Sequence, residues 1–123
     1  MIIGIGTDLC DANRILRSAM SEHFTSRVFS AVEMSYAEQF KVNKQDHLAA
    51  FFAAKEAFCK ALGTGFRKLS PLDISVDHDD LGAPRFVFSD KAKAVLSENG
   101  VTACHLSLSH DGHFAIAFVV LEG

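Results

Sequence analysis

The chain has 123 residues, 49% of them apolar, and a formal net charge of -3. That length fits one domain, residues 1–123, with ample material for a core. A net acidic chain has no general affinity for nucleic acid, and no apolar run approaches the roughly 20 residues that span a bilayer.

The chain opens with Met1-Ile2-Ile3-Gly4-Ile5-Gly6-Thr7-Asp8, read as a buried strand ending in a carboxylate. Gly4 and Gly6 allow another element to approach closely. Asp8-Leu9 stands where a dinucleotide fingerprint would need its third glycine, so that motif is rejected. Asp8 interrupts the apolar run early and no basic region precedes it, so no signal peptide is expected. Cys10, Cys59 and Cys104 form no close motif, which argues against a disulfide framework and for a reducing compartment. The expected location is cytoplasmic.

Asp11 or Asn13 caps a first helix through about Met20. Arg14 and Arg17 lie on it, and His23 and Arg27 follow, making a locally basic stretch in an acidic chain. Ser30-Ala31-Val32-Glu33 is a capping box opening a second helix. A third helix is expected from near His47, with Asp46 as N-cap and Gly63-Thr64-Gly65 as its stop. It is apolar nearly all round, so it should be buried. Yet it carries Glu56 and Lys60 one turn apart, and a lone buried charge is costly unless paired or on a metal. Glu followed four residues later by Lys is also a favoured surface ion pair.

Beyond Gly65, Ile74 and Val76 alternate with polar residues as in a half-buried strand. His78 to Gly82 is a turn, and Pro84 to Phe88 a second strand. Ser89 or Asp90 caps a last helix that stops at Asn99-Gly100. Ala103 to His110 and His113 to Leu121 form a hairpin about Asp111-Gly112. A hairpin with a buried helix predicts an α+β domain, an antiparallel sheet packed around that helix.

His105 and His110 face opposite sides of one strand, and the cysteines are scattered, so a zinc site is not expected. Asp8 and Glu56, on separate rigid elements, suit Mg²⁺, which keeps waters and takes substrate phosphates as further ligands. Lys60 is placed to neutralise a phosphoryl oxygen.

Three blocks are more specific. Gly4-Ile5-Gly6-Thr7-Asp8 with Arg14-Ile15, Phe52-Ala53-Ala54-Lys55-Glu56-Ala57 with Lys60-Ala61-Leu62-Gly63-Thr64-Gly65, and Leu106-Ser107-Leu108-Ser109-His110-Asp111 with Ala115-Ile116-Ala117 run nearly the length of the chain. Together with Gly82-Ala83-Pro84 they resemble the short bacterial 4′-phosphopantetheinyl transferases, the holo-acyl-carrier-protein synthase family. The resemblance implies transfer of phosphopantetheine from coenzyme A to a serine of apo-acyl carrier protein, in support of fatty acid biosynthesis. Adenosine 3′,5′-bisphosphate is the other product. It implies Asp8 and Glu56 as Mg²⁺ ligands and Lys60 at the coenzyme A phosphates. Gly63, Ser109 and His110 fall in stretches near the cofactor, and Arg14, Arg17 and Met20 on the helix that meets the acidic carrier. It further implies a homotrimer with active sites between subunits, which would account for a helix without a solvated face. One departure is Phe51, where the family often has a basic residue. Two other classes remain in view: a non-catalytic binding module and a Mg²⁺-dependent pyrophosphohydrolase.

Overall fold

The computed structural model describes residues 1–19 and 21–123. The strands are β1 (Ile2–Asp11), β2 (Ile74–His78), β3 (Pro84–Phe88), β4 (Ala103–Asp111) and β5 (Phe114–Glu122). The helices are α1 (Ala12–Ala19), α2 (Glu22–Val28), α3 (Ala31–Glu38), α4 (Lys44–Leu62) and α5 (Asp90–Glu98). An antiparallel sheet in the order β1-β5-β4 lies against α4, and β2 and β3 form a separate antiparallel pair. This is the expected α+β arrangement around a long buried helix.

Helix α4 begins three residues before His47; its N-cap is Asn43, without a side-chain bond, so Asp46 sits inside the first turn. Gly63 ends it in the left-handed region at φ 83°, leaving its N–H to bond the Cys59 carbonyl. Phe51 and Phe58 are fully buried, as are Ala49, Ala53 and Ala57. The small residues let β1 approach. A Cβ on Gly4 would strike the Ala61 carbonyl, and one on Gly6 the Ala57 carbonyl. Two strand residues advance about 6.6 Å and four helix residues about 6 Å, so the elements stay in step. The next inward strand residue, Asp8, therefore arrives one turn further along, level with Ala53 to Glu56.

Four expectations need correcting. Strand β1 does not end at Asp8 but runs to Asp11, paired throughout with β5. Nor is it buried on both faces: Ile5 and Leu9 are each 60% exposed and continue an apolar face through Ile116 and Phe118 of β5. The chain's own sheet covers α4, so it is this outer sheet face, not the helix, that lacks a cover. The hairpin loop is Gly112-His113, one residue later than read, because Asp111 still pairs with Phe114 and Gly112 takes the positive φ of 59°. Helix α2 was not anticipated; Ser21 caps it by accepting from the Phe24 N–H. The capping box of Ser30 with Glu33 is as read, Ser89 is the one of the two offered residues that caps the last helix, and the two short strands on either side of the turn pair antiparallel.

Candidate active site

Asp8 and Glu56 come from the two elements held together by the glycine contacts. Glu56 is half-buried, and its carboxyl is pushed up from the ordinary range, first by burial and then by the charge of Asp8. Lys60 and Arg14 act in the opposite direction. Lys60 does not pair with Glu56 along the helix. Its Nζ crosses to β1 and donates to Asp8 Oδ1 at 3.0 Å and to the Thr7 carbonyl at 3.0 Å. The lysine is open, its side chain 56% exposed, while Asp8 is 16% exposed. Two carboxylates close enough to repel, with the exposed cation of Lys60 beside them, suit a hard divalent ion. The donors are all oxygen, and only two are supplied, leaving positions for water and phosphate. Among the described residues no cluster of three or more His, Cys, Asp or Glu forms a closed metal cage.

At the other end of α4 lies a second cluster. His47, His78 and His110 surround a cavity of about 190 Å³ with Tyr36, Phe51 and Pro84. His78 stacks on Tyr36 with ring centroids 3.8 Å apart, and His47 stacks on Phe40 at 4.0 Å. His47 meets His110 edge-on at 5.9 Å. The histidines come from α4, β2 and β4, so sequence spacing gives no hint of their meeting. Ser109 does not join them: it is exposed opposite Ile116 on the outer sheet face, while His110 turns inward to the cavity.

A family model described as the 4′-phosphopantetheinyl transferase superfamily matches residues 4–119. The chain belongs to the 4′-phosphopantetheinyl transferase superfamily. It is 48% identical to a holo-[acyl-carrier-protein] synthase of Zymomonas mobilis, over 99% of this chain and 97% of that one. The crystal structure of the Neisseria meningitidis synthase matches with TM-score 0.91 at 38% identity, covering all of both chains. The Helicobacter pylori synthase in complex with coenzyme A matches at TM-score 0.84 and 32% identity, over 96% of this chain and 99% of that one.

In this transferase chain Arg14 reaches from α1 to α4. Its guanidinium lies over the Phe52 ring, 5.9 Å from the centroid, and its charge is felt at Glu56. Arg17, in the last turn of α1, is exposed. Met20 lies outside the described residues. Gly63 terminates the helix just beyond Lys60.

Sequence reasoning missed the other lysine of the signature block. Lys55 is 1% exposed and forms an ion pair with Glu33, itself 0% exposed, at 2.7 Å. Its Nζ also donates to the carbonyls of Val28 at 2.6 Å and Pro71 at 3.0 Å. Glu33 accepts in addition from the N–H groups of Ser30 and Val76, each at 2.8 Å. Burial draws the lysine's pKa down, and Glu33 opposes that shift. The network ties α2, α3, the 3₁₀ turn Pro71–Asp73 and β2 to α4. The available signal was the capping box: an N3 glutamate has a second oxygen free for a buried partner.

Proposed function

We propose that this chain transfers 4′-phosphopantetheine from coenzyme A to a serine of apo-acyl carrier protein. The serine oxygen bonds to the phosphorus nearest the pantetheine. The anhydride bond to the nucleotide breaks, and adenosine 3′,5′-bisphosphate leaves. The observation that carries the site assignment is the convergence of Asp8, Glu56 and Lys60 where β1 crosses α4. Asp8 and Glu56 would hold Mg²⁺, which when bound supplies charge to the pyrophosphate. Lys60 contributes a cation free to turn from Asp8 to a phosphoryl oxygen, with little covalent chemistry required of the protein.

Self-assembly fits this reading. The outer sheet face, with Ile5, Leu9, Phe114, Ile116 and Phe118 exposed, is apolar enough to receive second copies of the chain. The same sheet carries Asp8 on its inner face, so copies packed on its outer face bring their surfaces to the rim of this site and would share it, as in a trimer. Phe118→Asp should then yield smaller particles in light scattering and lose transfer together. A wild-type monomer with full activity contradicts the shared site. No described helix is long and apolar enough to cross a membrane.

Mass spectrometry of apo-acyl carrier protein incubated with this chain, coenzyme A and Mg²⁺ tests the function. The expected product is one phosphopantetheine on a serine. An unmodified carrier with free 4′-phosphopantetheine would indicate hydrolysis, and no change in either would indicate binding alone.

A further inference from the structure

Next to the rung formed by Asp8 and Glu56 lies a second one. Cys10 is the next inward residue of β1, and Phe52 stands one turn before Glu56 on α4. Arg14 reaches this second rung from α1. Its guanidinium lies over the Phe52 ring, and Phe52 in turn packs against Phe24 of α2 with ring centroids 6.4 Å apart. A cation over an aromatic face is attracted to it, so the charge has a fixed place. Burial pushes the Cys10 thiol up, and the Arg14 charge draws it back.

Two cations therefore act on Glu56. Burial and then Asp8 push its carboxyl up, while Lys60 and Arg14 pull it down. Lys60 is committed to Asp8 and to the Thr7 carbonyl. Arg14 is exposed and, among the described residues, makes no ion pair. A charge that favours the Glu56 carboxylate also repels a divalent ion arriving beside it.

We propose that Arg14 couples carrier docking to metal binding. A carboxylate of the acidic carrier that pairs with Arg14 cancels its charge at the Asp8–Glu56 site, so the carrier and Mg²⁺ each bind more tightly in the presence of the other. This rests on the transferase reading above. Arginine pairs with carboxylates through two parallel hydrogen bonds, which hold the opposing charges close together. A unit charge acting through water on a divalent ion roughly 8 Å away changes its affinity by about fivefold. Coupling between two binding events is reciprocal, so the same factor applies to the carrier. The metal site is then fullest when the acceptor serine is at hand, which favours transfer over hydrolysis. Arg17 is the internal control. It is exposed on the same helix, three residues on, and is not among the charges felt at Glu56.

Calorimetric titration of the full chain with apo-acyl carrier protein tests this. Mg²⁺ is absent or saturating, the ionic strength is low and constant, and coenzyme A is left out so that nothing turns over. The Kd for the carrier should be about fivefold lower with Mg²⁺. Arg17→Met should weaken the carrier under both conditions and keep that factor. Arg14→Met, which keeps an aliphatic stem over Phe52, should lose it. Without carrier, Arg14→Met should also show its Mg²⁺-dependent rise in unfolding temperature at about fivefold less Mg²⁺ than the wild type. A factor that persists in Arg14→Met reflects direct attraction between metal and carrier and overturns the proposal. A wild-type Kd that ignores Mg²⁺ overturns it too. In either case the transferase reading stands if the carrier is modified once coenzyme A is added. A carrier that neither binds nor is modified overturns both.

Discussion

Lys55 and Lys60 stand on the same helix, each paired with one carboxylate from another element, yet the two pairs are built differently. The Lys55–Glu33 pair is closed: both side chains are out of water, and each has further hydrogen-bond partners on the backbone. The Lys60–Asp8 pair is open, and beside it Glu56 is left repelled by Asp8. A buried ion pair with every site filled has nothing left to offer a ligand, and breaking it strands a charge. An open pair next to an unneutralised carboxylate can exchange partners. We propose that the same signature block holds one lysine for the fold and one for the chemistry.

The contrast breaks most visibly at Lys55. Lys55→Met leaves Glu33 buried without its cation and should cost about 3–5 kcal/mol of stability, read from denaturant unfolding. A midpoint near that of the wild type would mean that the closed network is not structural. Next comes Glu56→Gln, which keeps the shape and removes the charge. Transfer should fall at least about a hundredfold, the usual loss when one main electrostatic contributor is deleted. Near-normal rates at saturating Mg²⁺ would remove Glu56 from the site.

Lys60→Met sharpens the comparison from the open side. Its exposed pair contributes no more than about 1 kcal/mol, so thermal stability should hardly change while transfer drops strongly. Equal losses of both would make Lys60 a second structural lysine. The smallest effect is expected at Arg17. Arg17→Ala should raise the Michaelis constant for the acidic carrier severalfold, reduce its rise with added salt and leave that for coenzyme A unchanged. Arg14→Ala should move both constants, because Arg14 also acts on Glu56.

What the sequence disclosed was local. The Ser30 and Ser89 caps, the left-handed stop at Gly63 and the last hairpin all rest on neighbours within a few residues. Gly4 and Gly6 announced a close approach but not its partner, α4. The partnerships of charge were hidden, because they join distant residues. Lys60 looks toward Glu56 in sequence and reaches Asp8 in space. Lys55 finds Glu33 across three elements, and the three histidines of the cavity come from α4, β2 and β4. Helix α2 escaped notice because a seven-residue, mostly polar segment with two apolar anchors, Phe24 and Val28, is too short to show a period.

The claim that the fold holds the Glu56 carboxylate against burial and the charge of Asp8 has a direct thermal test. The folded pKa of Glu56 lies above its ordinary value, so the folded chain holds that proton more tightly than the unfolded one. As pH rises through the ordinary glutamate value and then the folded one, stability is lost, and near neutrality the full cost is present. Unfolding temperatures of wild type and Glu56→Gln should therefore be compared at pH 7, with and without Mg²⁺ and coenzyme A. The variant should melt higher than the wild type when nothing is bound, and gain less from the added ion and cofactor. A variant that melts lower in the free form, or gains as much, would contradict the account.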